Sequence, residues 1–488
     1  MQRKSISPAS GRNWAIFTAT LFVICFAISA ITPPFQSPDE FDHVKRAYLL
    51  ANGQLILDTP DRQSSGGMVD SGLLAYMNGY TEIPAKRERK LNSNEALQSR
   101  HIQWSGIDEY SPAPGTGYYF PLIYTPQAIG LGLAQIFDLS VDSSYRLSRL
   151  LALLAATSLI LLAFSIYTPA PLAAAMLMIP MSIFQLSSAA IDGVSTALAV
   201  LAVSCFLRIA RDRENSKAWH LCTLTIAVAL VVSSRVHLLP LVLLVGASYF
   251  HNKDRRSVFA AGILTIFIFS WIAIAASTTV DLRVSLGASK SKIGGYYLAN
   301  PGEFFRIVAR TIREPETLEF YGKSFIGILG WLDAKFDDHV YLYLQGLLVA
   351  LLAISIAPRD FLREWSTRSV LLACSIASFV LIFFALLVTW SVLPAVHVQG
   401  VQGRYFLVPA LMLAYAICSG PGAGHRLHNL LAPGLLVLLV LFSSFQTIRL
   451  LLDRYYLSVD PVATVQSTLR GSPGSAMGEL TPSAPEPP

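Results

Sequence analysis

Apolar runs recur along almost the whole chain with only short polar links between them, and little but a bundle of membrane-crossing helices can accommodate that pattern. The runs are Trp14–Ile31, Pro121–Phe137, Leu147–Tyr167, Leu172–Leu186, Val194–Leu207, Leu221–Val232, Leu238–Phe250, Val258–Ala276, Leu342–Ile356, Val370–Val392, Phe406–Cys418 and Leu430–Phe445. Several fall short of the roughly 20 residues a crossing helix needs, so their polar ends must be counted in. Over 488 residues, 53% are hydrophobic and only 14% charged, which excludes a soluble domain. The sequence therefore predicts an all-α polytopic membrane protein. Trp14–Ile31 is too long for a signal-peptide core and lacks a small-residue cleavage site, so it is expected to remain as an anchor. The net charge of +6 fits the basic loops of membrane proteins and does not argue for nucleic acid. All five cysteines lie in apolar stretches without metal-ligand spacing and are expected to be packing residues.

Arg3, Lys4 and Arg12 place the N-terminus in the cytoplasm. Strict alternation of the runs would then put Arg211–Lys217, His251–Arg256 and Pro358–Arg368 outside, although all three are basic links that belong inside. The conflict disappears if one of the stretches 121–137, 147–167 and 172–186 does not fully cross. Pro121 and Pro126 make the first a candidate, because breaks are tolerated where protein covers them. This leaves about eleven crossings and an extracytoplasmic C-terminus. The expected division is a cytoplasmic N-terminus over residues 1–13, a first transmembrane helix over 14–32 and an extracytoplasmic loop with a juxtamembrane helix over 33–120. A transmembrane bundle over 121–277 and a second large extracytoplasmic loop over 278–341 follow. The bundle resumes over 342–448, and residues 449–488 form an extracytoplasmic tail, largely disordered from its Pro, Ser and Gly content.

The first polar stretch, Ser37–Gln54, carries the densest chemistry. Pro38 is expected to start a helix with Asp39 and Glu40 in its first turn, where carboxylates suit the positive end of the helix dipole. Asp39 and His43 are four apart and share a face. Tyr48, Leu49 and Leu50 give an apolar side suited to lying along a membrane surface. An acidic turn that merely caps a surface helix has the same pattern. The charged run from Ala85 reads as a solvated helix or loop, and Tyr110–Pro126 as a structured loop with an aromatic belt re-entering the bilayer.

Further polar positions fall on the same outer side. Asp192 stands between two apolar runs, where it could cap the next helix. Arg235 and His237 stand at another outer end, and snorkelling would explain Arg235. Tyr321, Lys323, Trp331 and Asp333 interrupt an apolar segment expected to be a shallow re-entrant helix with an interfacial Trp. Gly400 and Gly403 permit a tight turn before Arg404 and Tyr405, and Arg at an outer helix mouth suits an anionic group such as phosphate, as it would a headgroup anchor. Asp39, Glu40, Asp192 and Asp333 would then share an outward cavity with Arg235, Lys323 and Arg404. Asp39, Glu40 and Asp192 supply the oxygen ligands a Mg or Mn ion would use, although no spacing demands one.

The order PPFQSPDEFDH, YSPAPG, SSAAID, GWLD and QGRYF resembles a bacterial family of polytopic membrane proteins of unknown function, across most of the chain. Ile191 stands where that family usually has proline, and Arg235 where lysine is expected. The family in turn looks like the GT-C superfamily of membrane glycosyltransferases. That resemblance implies a GT-C-like bundle in the bacterial inner membrane, with a large first outer loop that carries a catalytic acid. It implies a glycosyltransferase moving a sugar from a polyprenyl-phosphate-type donor to a surface glycan or lipid acceptor. Asp39 would activate the acceptor, Glu40 and His43 would assist, and Arg404 would hold the donor phosphate. Tyr405, Lys323, Arg235, Asp192, Trp331 and Asp333 would line the substrate site. A transporter of a lipid-linked sugar and a noncatalytic subunit of a polysaccharide assembly complex are the alternatives. A transporter would favour midplane charges and repeat symmetry, neither of which stands out.

Overall fold

A computed structural model describes residues 8–419 and 426–457, so the expected disorder of the tail lies outside the described residues. The protein is mostly helical, an all-α membrane protein. Among the described residues, seven helices are long and apolar enough to cross a membrane: Arg12–Ile31, Val141–Ile166, Asp192–Asn215, Arg256–Thr278, Asp338–Ser355, Trp365–Trp390 and Leu430–Tyr455. Ala218–Val232, Val236–Asn252 and Gly403–Ile417 are shorter apolar helices.

The stretches 121–137, 147–167 and 172–186 fold in three different ways. The middle one is a single helix, Val141–Ile166. Pro121–Tyr124 forms a 3-10 turn leading into helix Thr125–Ile136, which at 1.5 Å per residue is only about 18 Å long. Both ends of this helix stay with the first loop. Tyr124 meets His43, and just beyond the helix the Val141 amide donates to the Ile102 carbonyl. Gly130 permits the close approach to the following helix, since a Cβ there would lie 2.6 Å from Ser148 Cα. The third stretch is two short helices, Pro171–Met176 and Pro180–Leu186, each opened by a proline. It lies almost wholly buried, and side chains satisfy the broken backbone: Ser443 and Ser182 donate 2.6 Å bonds to the Met178 and Met176 carbonyls. Four cysteines are buried packing residues as expected, while Cys222 is exposed.

At one end of the bundle, Arg368 bonds Glu364 and the carbonyls of Ala416 and Cys418, which ties two basic-link helices together. The other end carries the first loop. A two-stranded antiparallel ribbon, Gly66–Asp70 with Asp108–Pro112, anchors that loop. Asp70 caps helix Ser71–Asn78 through the Gly72 amide and accepts from the amides of Ser105 and Gly106. The charged run carries a short helix, Ser93–Arg100, and Lys90 reaches the Asp453 and Arg454 carbonyls at the end of the last helix.

The juxtamembrane helix spans Glu40–Ala51, so it begins two residues later than the Pro38 signal suggests. Its apolar side does not lie on lipid: Val44, Ala47, Tyr48 and Leu49 are buried against protein. Glu40 fixes this helix. The carboxylate is fully buried and takes both prongs of Arg149, at 3.1 Å each, with Tyr145 Oη at 3.0 Å and the backbone amides of Ala189 (2.7 Å) and Ser37 (3.2 Å). Arg149 also donates to the carbonyls of Ser29 and Thr32 at the end of the first helix. One ion pair therefore joins the first span, the juxtamembrane helix, helix Val141–Ile166 and the link before Asp192.

Losing one partner of such a pair leaves a buried charge uncompensated, at a cost of about 3–5 kcal/mol. Arg149→Met should thus lower the unfolding temperature of the detergent-purified protein steeply, and adding Glu40→Gln should recover part of the loss. Unfolding followed by intrinsic fluorescence tests this, and a single variant as stable as wild type would refute it.

Candidate functional site

Asp39 sits just before the juxtamembrane helix with φ +63°, in the left-handed region. Its carbonyl accepts the first helical bond from His43 at 3.0 Å, which keeps the two residues adjacent as their spacing suggests. Left-handed backbone at a non-glycine residue is uncommon and needs support from its surroundings. Here the two flanking residues supply it: Ser37 and Glu40 bond each other through backbone and side chain, leaving Asp39 to project. Its side chain is 43% exposed, whereas that of Arg404 opposite is only 5% exposed.

Arg404 Nη2 donates to Asp39 Oδ2 at 3.0 Å and lies 3.4 Å from Tyr405 Oη. The Arg404 Nε is buried without a partner. Gly403 makes this placement possible: a Cβ there would fall 2.0 Å from Phe325 N and 2.4 Å from the Tyr321 carbonyl. No other residue fits, so the chain passes tight against helix Pro315–Gly327 and delivers the guanidinium inward. Gly400 has φ +76° and rests on Trp390, as a turn requires.

Asp192 and Arg235 form a second pair at 2.5 Å. Helix Asp192–Asp212 starts at Asp192, yet that side chain caps no amide; it is committed to Arg235. Nor does Arg235 snorkel, since its guanidinium lies over Tyr119, 5.2 Å from the ring centroid. Between the two pairs sits His43, buried, its Nδ1 2.7 Å from Tyr124 Oη and its ring stacked near Tyr119. A third arginine, Arg283, is held bidentately by Asp281 and reaches to 4.0 Å of Asp39 and 3.8 Å of Asp42. Gly115 leaves room for it, because a Cβ there would meet Arg283 Nη2 at 2.4 Å.

The structure thus brings together Asp39, His43, Asp192, Arg235, Arg404 and Tyr405. It does not bring Glu40, Lys323, Trp331 or Asp333 to them. Both oxygens of Glu40 are consumed by the Arg149 network. Lys323 is paired with Glu319 and Asp338 in an exposed cluster. The segment after Gly327 is no helix. A tight hairpin, Ile328–Leu329 with Ala334–Lys335, turns Trp331 inward to donate to the Phe35 carbonyl at 3.0 Å. Asp333 binds Arg454 at 2.6 Å and holds the end of the last helix. Among the described residues no three His, Cys, Asp or Glu side chains converge as a metal site. With Glu40 turned away and the two aspartates each on an arginine, these residues do not fit the Mg or Mn ion considered above.

Tyr119, Tyr124 and Arg283 are additions that sequence reasoning missed. The tyrosines lie within the run read as a lipid-facing belt, and Arg283 has no distinguishing spacing.

Burial drives the Asp39 carboxyl upward, but Arg404, His43 and Arg283 outweigh it and hold the group below its ordinary value. For Asp42 the balance reverses, with burial keeping it raised despite Lys45 and Arg283. His43 is pushed down from 6.5 to about 4, first by burial and then by Arg235 and Arg404, against the pull of Asp192 and Asp39. The site at neutral pH is therefore an ionised, half-open carboxylate beside a neutral imidazole and three guanidiniums. Such a site can accept a proton and compensate an anion in one place.

A family model described as "Predicted membrane protein (DUF2142)" matches residues 21–414. No curated protein and no solved structure matches the chain.

The depressed His43 gives a pH signature. The unfolded chain takes up a proton near 6.5 and the folded one only near 4, so the stability from burying neutral His43 is complete above 6.5 and lost as pH falls through that window. Unfolding temperatures measured between these values should decline in wild type and decline less in His43→Gln; parallel profiles would contradict the assignment.

Proposed function

The chain belongs to this family of predicted membrane proteins, and we propose that it is a membrane glycosyltransferase working at the outer face of a bacterial inner membrane. Its donor is a polyprenyl-phosphate-type sugar and its acceptor a surface glycan or lipid. The proposed arrangement is GT-C-like, with eleven crossings: the seven long helices, the three shorter apolar ones and the broken pair Pro171–Leu186. Thr125–Ile136 stays at the outer end. This topology keeps Arg211, Arg256 and Arg368 inside.

The observation that carries the reading is the half-open Asp39 latched to buried Arg404, whose Nε has no partner. Guanidinium forks bind phosphate oxygens bidentately. A donor phosphate engaging Nε and Nη2 of Arg404 would compete with Asp39 for Nη2 and free the carboxylate. Freed from its counter-ion, Asp39 becomes a stronger base at the moment the donor arrives. The acceptor hydroxyl then attacks the anomeric carbon, its proton passes to Asp39, and the bond from that carbon to the phosphate oxygen breaks. The electron pair leaves with the phosphate, where Arg404 and Arg235 offset the developing charge. Tyr119 and Tyr124 fix Arg235 and neutral His43 beside this centre.

The test is sugar transfer in membranes carrying the protein, with radiolabelled polyprenyl-phosphate sugars and extracted surface glycan. Asp39→Asn should lower transfer by at least about 100-fold, as for loss of a general base. Arg404→Ala should lower it comparably and raise the donor KM. Unchanged transfer in Asp39→Asn would remove the acid, and donor binding without transfer would favour a binding subunit.

A further inference from the structure

The loop 391–402 that delivers Arg404 also walls two adjoining cavities. One, of about 290 Å³, is lined by Glu316, Thr317, Phe320, Tyr321, His397 and Gly400 among others. The other, of about 220 Å³, lies along Ser391–Gln399 and shares His397. His397 thus stands at the centre of a groove, its Nε2 3.0 Å from Glu314 and both partners more than a third exposed. Phe320 and Tyr321 are half-buried, and Tyr321 is braced edge-on by Phe383 and Phe406. Three residues beyond Gly400, the same loop presses Gly403 into the Tyr321–Phe325 backbone, and Gly403 bonds Ser324 Oγ at 2.8 Å. The groove and the Asp39–Arg404 centre are therefore built on one strap.

The lining has a specific chemistry. Phe320 and Tyr321 offer an apolar aromatic wall, while Glu316, His397 and Thr317 offer hydrogen-bonding groups beside it, the last two also bonded to Glu314. Sugars present the matching combination, a patch of C–H groups edged by hydroxyls. Carboxylates accept hydrogen bonds, and imidazole and hydroxyl groups both accept and donate them. A phosphate or other anion is disfavoured because Glu316 lines the groove and Glu314 stands behind His397.

We propose that this groove is a carbohydrate-binding subsite that holds the acceptor glycan and leads its terminal sugar toward Asp39. The proposal rests on the glycosyltransferase reading for its direction, though binding itself does not require turnover. Tyr321 and His397 act as positioning residues and touch no reacting atom.

The probe is a set of oligosaccharides released by mild acid from the cell envelope of cells that make this protein natively, fluorescently tagged at the reducing end. Full-length protein in lipid nanodiscs is titrated and anisotropy recorded. Wild type should bind, whereas Tyr321→Ala and His397→Ala should weaken binding at least about tenfold, as for loss of about 1.4 kcal/mol of contact. Tyr321→Phe should retain most of the affinity, which separates stacking from misfolding. No binding by wild type, or binding indifferent to Tyr321→Ala and His397→Ala, overturns the subsite. If binding follows this pattern but no donor supports transfer, the subsite stands and the glycosyltransferase reading fails. In the transfer assay the same substitutions should raise the acceptor KM and leave the donor KM unchanged.

Discussion

The buried ion pair of Glu40 with Arg149 is the constraint on which the outer half of the molecule depends. A carboxylate excluded from water needs every lone pair answered, and Glu40 finds two guanidinium prongs, a phenol and two backbone amides. Those partners come from three places: helix Val141–Ile166, the link before Asp192 and the turn at Ser37. Satisfying one charge therefore fixes the first helix, the juxtamembrane helix and the approach to Asp192 relative to one another. Asp39 precedes Glu40 directly, and it inherits an orientation that its own left-handed backbone would not secure.

The neighbouring acids divide the work that the sequence pattern assigns to both. Glu40 is spent on architecture, while Asp39 stays half-open with a single strong counter-ion. The same division recurs elsewhere. Asp333 and Arg454 hold the last helix against the hairpin, whereas Asp192 and Arg235 pair beside His43. Charge pairs of similar composition serve assembly in one place and furnish the candidate site in another. Of these pairs, only Asp39–Arg404 combines a half-open carboxylate with an unpartnered donor, the Arg404 Nε.

Much of the helical bundle was legible in the sequence because apolar runs and basic links obey strong rules in lipid. The conflict among loop charges pointed to residues 121–186, where proline-opened Thr125–Ile136 and doubly broken Pro171–Leu186 look alike as hydropathy. In the site, Asp39, His43, Asp192, Arg235 and Arg404 were readable as polar residues in costly positions. Glu40 misled because adjacency in sequence does not mean a shared direction: Asp39's φ of +63° separates them. Trp331 and Asp333 misled because a hairpin of a few residues has no periodicity, and Lys323 because its helix turns it to Glu319 and Asp338. Arg149 carried a signal that went unused, a lone charge inside an apolar run.

The contact between Asp39 and Arg404 spans 365 positions. A ribosome delivers the acid 365 residues before its counter-ion, so throughout that interval the centre is missing. A product truncated between the end of the first loop and Gly403 would hold the whole loop and yet lack the site. Synthesis of the segment that carries Arg404, rather than closure of the first loop, is what brings the two charges into being as a pair.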